Sequence, residues 1–378
     1  MKDKPSRRKF LQTGLMLPAA GIIASRNLKA SFPPPAEIPY RNLGKTGLKV
    51  SGIGFGIGFE PKPELIERAL ELGVNYFDTS RVYGDSEKIF ETVIRGKRNK
   101  LLISTKTGRN TKADVLEDID TSLKTLGTDH VDIYHMHARD RLDRVSDEAL
   151  EAMYMVKEQG KARFIGLSTH DPNAMVEHIL RWKLDVVQTS YSYAIGAPFR
   201  DAAIDKLHAA GVGVIAMKVV IAVTGLNLKD FSIKPRVSDE GCVSALKWVL
   251  SNPKIGTTVP HHDTLEHLEM NVRAMTEPYT VEDEKLLYVR NEQIRPFYCR
   301  MCYECKGQCP KGVPVTDELR FLAYNDFGGD LRQAQRSFGE LPRDIRNMRC
   351  SDCSTCSVQC PNGVNVRDRL IRAQELLA

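Results

Sequence analysis

Eight of the nine cysteines in the chain fall into two copies of one spacing. The first copy is Cys299, Cys302, Cys305 and Cys309, followed by Pro310; the second is Cys350, Cys353, Cys356 and Cys360, followed by Pro361. Both read C-x2-C-x2-C-x3-C-P, the spacing that wraps three thiolates around one [4Fe–4S] cube and sends a fourth elsewhere. A disulfide framework does not need the same spacing twice, and a structural zinc site uses four ligands at looser spacing. The chemistry expected of this region is one-electron transfer through two clusters.

A second set of residues suits proton transfer. Asp78, Lys106 and His137 lie at the ends of apolar runs, and Tyr83 follows Asp78 by five residues. A phenol with a pKa near ~10 is a poor acid at neutral pH. A buried ammonium beside it favours the phenolate, so Lys106 is expected to lower the pKa of Tyr83. Asp78 would keep the lysine charged and His137 would position a carbonyl oxygen. Such a site delivers a proton to oxygen while a hydride arrives at carbon.

These residues need a scaffold that brings strand ends together. Short apolar runs at 51–56, 75–79, 101–106, 131–137, 163–168, 186–190, 212–217 and 257–260 alternate with helix-like segments at 63–72, 86–95, 114–126, 147–159, 173–182, 200–210, 239–251 and 264–275. Eight strand–helix units in series predict a closed (β/α)8 TIM barrel of the α/β class, with its chemistry at the C-terminal strand ends. Gly73, Gly127, Gly160 and Gly211 stand where helix C-caps are needed. The glycines from Gly52 to Gly58 alternate, which fits the phosphate turn of an open doubly wound sheet poorly. The barrel is expected over 39–280. A small, mainly helical, ferredoxin-like two-cluster domain is expected over 281–378, with helices near 316–325, 330–337 and 365–377. Bound clusters would supply much of its folding energy.

The motifs Phe77-Asp78-Thr79-Ser80-Arg81-Val82-Tyr83-Gly84, Ser104-Thr105-Lys106 and Asp132-Ile133-Tyr134-His135-Met136-His137 resemble those of the aldo-keto reductases. The likeness runs over roughly 39–275 and includes the opening hairpin from Arg41 to Leu48. With its cysteine-rich tail, the chain resembles the subgroup that carries a C-terminal ferredoxin-like domain. The resemblance implies a catalytic tetrad of Asp78, Tyr83, Lys106 and His137, with Tyr83 as general acid and base. It also implies a nicotinamide cofactor, NAD(P)(H), whose carboxamide is held by Ser168, Thr169 and Gln188. Met217 stands where the family often stacks a tyrosine on the nicotinamide, and Lys218 follows it. Asp263 stands about where a cation would meet a 2′-phosphate, which leaves NADH as open as NADPH; Asn271 would serve the adenine. As in two-cluster ferredoxins, the ligands are expected to cross: Cys299, Cys302, Cys305 and Cys360 on one cube, Cys350, Cys353, Cys356 and Cys309 on the other.

The first 30 residues read as a targeting segment. Ser6-Arg7-Arg8-Lys9-Phe10-Leu11 resembles the twin-arginine export motif, and a short apolar run follows from Thr13 to Ala24. A Pro-rich linker spans 31–38. Of 54 Lys and Arg and 48 Asp and Glu, seven and one lie in this first segment, so the body is balanced and no nucleic-acid-binding face is implied. Export in the folded state, to the periplasm, suits clusters that must be inserted where thiols stay reduced. The expected partners are a small carbonyl or alcohol substrate and an electron-transfer protein. An electron relay whose barrel has little or no reductase activity is the alternative. His135 and Cys242 are expected to be packing residues, and Phe59, Tyr191, Tyr193 and Phe199 to line an apolar pocket at the barrel mouth.

Overall fold

A computed structural model describes residues 38–196, 199–223 and 239–378. The expected targeting segment and all but the last residue of the linker lie outside the described residues. A hairpin of β1 (Tyr40–Asn42) and β2 (Lys49–Ser51) opens the fold. Eight strand–helix units follow. The strands are β3 (Phe55–Gly56), β4 (Tyr76–Asp78), β5 (Leu102–Thr107), β6 (Val131–Met136), β7 (Ala162–Thr169), β8 (Val186–Ser190), β9 (Gly213–Met217) and β10 (Thr257–Thr258). The helices are α1 (Pro63–Glu71), α2 (Ser86–Ile94), α3 (Lys112–Leu126), α4 (Asp147–Glu158), α5 (Pro172–Arg181), α6 (Asp201–Ala209), α7 (Asp239–Ser251) and α8 (Leu265–Arg273). The strands pair in parallel and in chain order. A bridge between Ile53 and Thr258, with Gly54 N–H donating to Thr258 O at 2.7 Å, closes the sheet into a barrel. The expected (β/α)8 architecture is therefore present.

Local sequence explains the units. Thr111, Ser146, Asp171 and Thr264 each accept a backbone N–H as N-caps; such a cap contributes about 1 kcal/mol. Gly73, Gly127, Gly160 and Gly211 all have positive φ, the left-handed stop the sequence predicts. One apolar core lies between sheet and helices. A smaller one, with Leu43, Tyr76, Ile133, Val186 and Ile215, fills the barrel floor above the hairpin. Gly166 of β7 is required by the interior: a Cβ there would lie 2.2 Å from Val186 O and 2.8 Å from His135 Nδ1. His135 is fully buried filling, as expected.

The C-terminal region contains α9 (Val281–Ile294), α10 (Val315–Asp326), α11 (Leu331–Gly339), α12 (Arg343–Arg346) and α13 (Val366–Leu377). The compositional change near residue 280 predicts that all of 281–378 belongs to the second domain. Helix α9 instead packs on the barrel: Ser244 Oγ and Lys247 Nζ lie 2.6 and 2.7 Å from the Asp283 carboxylate, and Leu287 belongs to the barrel core. Ile294, Tyr298, Met301, Ala323 and Phe327 pack with Ala194, Ile195 and Ala222 of the barrel's loops. Phe321, Leu322, Ala334, Phe338, Ala373 and Leu377 join α10, α11 and α13. No helix among the described residues is long and apolar enough to cross a membrane.

Glu318 of α10 is fully buried; Gln374 Nε2 donates to its Oε2 at 3.0 Å and Oε1 has no partner. Burial pushes this carboxyl up from 4.5 to about 7. Between these two pH values the folded chain keeps a proton that the unfolded chain releases, so stability falls as pH rises through that window and stays low above it. The loss is on the order of 3 kcal/mol. Glu318→Gln is expected to abolish this dependence, so thermal unfolding at pH 5 and pH 8 should differ less in the variant than in the wild type.

Candidate active site

The parallel register places four polar side chains around one strand-end mouth. Gly56 pairs with Asp78, Asp78 with Ser104, and Lys106 with His135. His137 N–H donates to Thr107 O at 2.8 Å, which continues β6 by one residue. Lys106 Nζ donates to Asp78 Oδ2 at 2.6 Å and to Thr79 O at 2.8 Å, and both side chains are buried. It lies 5.8 Å from the Tyr83 ring centroid. The Tyr83 ring meets His137 edge-on at 5.6 Å and Phe59 at 5.1 Å. The loop carrying Tyr83 is anchored by Arg81 on the buried Glu87 at 2.7 Å, which also accepts from Thr105 and Ser122. Asp78, Tyr83, Lys106 and His137 are thus brought together.

The electrostatics differ from expectation at Tyr83. Its phenol is pushed up, not down: burial is the main cause, and the Asp78 carboxylate and Tyr324 add to it. Lys106, paired with Asp78 at 2.6 Å, does not overcome that burial. Burial also pulls Lys106 down, opposed by Asp78 and reinforced by Lys218. His137 falls well below the usual imidazole value through burial, then through Lys106, His170, Arg139 and Lys218. A neutral His137 and a protonated Tyr83 suit donation to a carbonyl oxygen. Ser80 Oγ stands 3.0 Å from His137 Nδ1 and 3.2 Å from Lys106 O. The single Ser80 proton sets the tautomer: given to Lys106 O it leaves Oγ to accept from Nδ1–H, and given to Nδ1 it puts the imidazole proton on Nε2. Ser80 is a positioning residue that sequence reading missed, although it lies within the motif containing Asp78.

The expected nicotinamide contacts divide. Ser168 and Gln188 are paired in register, and Gln188 Nε2 donates to Asp78 Oδ2 at 3.1 Å. Gln188 Oε1, Asp78 Oδ1 and Ser190 Oγ are buried without a protein partner. Ser168 Oγ accepts from Ala138 N–H at 2.8 Å and keeps its own proton to give. This set of orphaned and donating atoms fits a carboxamide. Thr169 is corrected: strand alternation turns it away, its hydroxyl donating to Asp140 at 3.2 Å and accepting from Asp171 N–H at 3.0 Å. Met217 ends β9 and is partly exposed; Lys218 follows in a left-handed conformation, φ +62°.

At the expected adenosine segment, Asn271 is buried and bonded to His262 Nδ1 at 3.2 Å, so its amide is already engaged. His262 packs tilted against Phe55 at 4.9 Å, and burial pulls its pKa down to about 3. The carboxylate of Asp263 is exposed, while its carbonyl accepts from Lys62 Nζ at 2.6 Å. Lys62 thus brings a cation to the segment from another part of the chain. Tyr191 and Tyr193 do not line the mouth: they pack on Trp248 at 5.0 and 5.7 Å and bond Asp201 and Glu284. Phe59 does face Tyr83.

The eight motif cysteines lie in the C-terminal region, none in a disulfide, and the ninth, Cys242, packs against the barrel core. Burial pushes Cys299 up to about 12, with Cys305, Cys302 and Cys360 adding to it. Cys305 is raised by burial and then by Cys302 and Cys360. Burial pushes Cys350 up to about 11, with Glu318, Cys309 and Cys353 adding to it. The thiols therefore influence one another in two sets that mix the motifs. Met301 and Tyr303 have left-handed φ of +51° and +62°, and the Met301 N–H points at Cys299 Sγ, 3.4 Å away. Asn362 Nδ2 lies 3.3 Å from Cys302 Sγ and Gln374 Nε2 3.5 Å from Cys350 Sγ. Soft thiol donors with N–H groups aimed at sulfur fit an iron–sulfur cluster. Among the described residues no three His, Cys, Asp or Glu side chains form a site for a metal ion.

The comparisons agree with the barrel chemistry. The Aldo/keto reductase family matches residues 56–243, inside the barrel and short of the cysteine motifs. L-galactose dehydrogenase of Arabidopsis thaliana is 30% identical over 285 residues, covering 64% of this chain and 89% of that protein. L-glyceraldehyde 3-phosphate reductase of Escherichia coli (strain K12) is 25% identical over 305 residues, covering 63% and 88%. The holo form of an aldo-keto reductase from Bacillus halodurans superposes with a TM-score of 0.58 at 23% identity, over 67% of this chain and 96% of that one, a likeness of fold. The barrel, the residues gathered at its mouth and these relatives lead to one conclusion: the chain belongs to the aldo/keto reductase family and is an NAD(P)-dependent oxidoreductase.

Proposed function

We propose that the protein is exported by the twin-arginine route and interconverts a small carbonyl compound and its alcohol at the barrel mouth, with two [4Fe–4S] clusters relaying single electrons to or from a partner. The observation that carries the catalytic part is the convergence of Tyr83, Lys106, Asp78 and His137 on one strand-end mouth. Tyr83 gives its proton to the carbonyl oxygen, or takes it back from the alcohol. Asp78 orients Lys106, and Ser80 orients His137, which holds the same oxygen. Gln188 and Ser168 hold the nicotinamide carboxamide. The bound cofactor supplies or accepts the hydride. Both sugar-related relatives point to a small hydroxylated aldehyde or its alcohol as substrate.

The cysteine spacing, the two mutually influencing thiol sets and the N–H groups aimed at sulfur support the clusters, with ligation crossed between the motifs. The twin-arginine-like segment supports folded export to the periplasm. The exposed Asp263 and the nearby Lys62 leave the choice between NADH and NADPH to measurement.

The test is to purify the protein anaerobically, denature it and identify any released nucleotide, then follow nicotinamide oxidation with glyceraldehyde. Released or tightly bound nucleotide with turnover is the expected result. No nucleotide binding and no turnover, with clusters that still accept electrons from a chemical donor, would replace the reductase by an electron relay.

A further inference from the structure

The C-terminal region reaches the catalytic mouth through α10. Tyr324, buried on that helix, has Lys218 Nζ over its ring at 4.1 Å. Its hydroxyl lies 2.9 Å from Arg320 Nη1 and 3.4 Å from His170 Nε2. Arg320 also reaches Asp140 Oδ2 at 3.4 Å. Arg336 of α11 donates to Val82 O at 3.2 Å and lies 4.2 Å over the Phe59 ring, which packs on Tyr83. Side chains from outside the barrel therefore cover the mouth that holds the general acid.

The mouth beneath this roof carries unbalanced positive charge. Asp78 is occupied by Lys106, and Asp140 by His170 and Arg320. Among the described residues, no carboxylate pairs with Lys218. Arg139 donates to the carbonyls of Gly108 and Arg109, at 3.2 and 2.5 Å, and has no carboxylate partner either. Arg139 follows His137 by two residues, and both cations add to the lowering of the His137 pKa. Lys218 is held in a left-handed backbone that a non-glycine residue adopts at a cost, as residues at ligand sites often do.

We propose that the C-terminal region completes the substrate site, with Tyr324 and Lys218 as specificity-determining residues for a carbonyl substrate that bears an anionic oxygen group. The ring of Tyr324 holds the ammonium in place, and its hydroxyl, engaged by Arg320 and His170, fixes the ring. Phosphate and carboxylate share the required chemistry. This inference rests on the reductase reading above.

The experiment uses the full-length, cluster-loaded protein and two substrate pairs: glyceraldehyde with glyceraldehyde 3-phosphate, and glucose with glucuronate. A charge-assisted contact predicts that the anionic member of at least one pair is favoured in kcat/KM by roughly 10–100-fold. The favoured pair identifies phosphate or carboxylate. Lys218→Met and Tyr324→Leu are expected to erase most of the preference through KM of the anionic substrate. Tyr324→Phe, which keeps the ring and the fold, should lose only part of it. No preference in either pair, or a preference that survives Lys218→Met and both Tyr324 variants, overturns the proposal. So does a fall in nucleotide affinity in Lys218→Met, measured by calorimetry, with the preference intact; Lys218 then serves the cofactor. Tyr83→Phe separates the two levels. If it still reduces glyceraldehyde, the reductase reading fails; if it is inactive while the wild type shows no anionic preference, only the roof fails. No turnover of any of the four by the wild type overturns both.

Discussion

Tyr83→Phe is expected to lower kcat for carbonyl reduction by roughly 10²–10⁴-fold, the usual contribution of a positioned general acid. The substitution removes one oxygen and keeps the ring that packs on Phe59 and His137 at 5.1 and 5.6 Å. Nucleotide affinity and thermal stability should therefore change little, and a single-turnover measurement should place the loss in the chemical step. The pH dependence follows from the raised phenol. Because burial, Asp78 and Tyr324 hold its pKa above the ordinary value, the protonated form persists through neutral and mildly alkaline pH. Reduction should be flat with pH there, whereas alcohol oxidation, which needs the phenolate, should rise with pH. Unchanged kcat in Tyr83→Phe would remove this residue from the mechanism.

Cys360→Ser is expected to damage the cluster whose other ligands come from the first motif. Wild-type protein prepared without oxygen should contain about eight irons and eight sulfides per chain. Cys360→Ser and Cys299→Ser should leave the same surviving cluster spectrum by electron paramagnetic resonance. Cys350→Ser should leave the other. The mutual influence of Cys299, Cys302, Cys305 and Cys360 motivates the pairing. A Cys360→Ser spectrum matching that of Cys350→Ser would mean that each motif closes on itself. Removal of both clusters should also loosen the region, because its apolar cluster of seven mostly valine side chains is packed directly against six of the cysteines. Metal binding would then be folding energy, and the apo form should lose protease resistance after Ile294 before the barrel does.

Much of the barrel was legible because its signals are local. Short apolar runs that carry Asp78, Lys106 and His137 at their ends, and glycines after helices, depend on residues close in sequence. The strand and helix positions agree with the structure to within a few residues. Helix α9 escaped notice because its exposed, strongly charged sequence carries little apolar periodicity; its attachment depends on Asp283 meeting Ser244 and Lys247, some forty residues away. Thr169 and Asn271 were assigned by resemblance, whereas their side chains bond to Asp140 and His262. The loop position of Tyr191 and Tyr193 suggests the mouth, but Tyr191 stacks on Trp248 and Tyr193 meets it edge-on.

By itself the amino-acid sequence determined the alternation that closes the barrel, the identity of the tetrad and the cluster-like spacing of the cysteines, since each is carried by residue type and short-range separation. Only the tertiary structure decided that burial raises the Tyr83 phenol despite the neighbouring Lys106, and that Tyr324 of α10 packs on Lys218 beside the mouth. Burial and through-space charge set a pKa, and contacts between α10 and the barrel join residues more than a hundred positions apart. Neither quantity has a local signature along the chain.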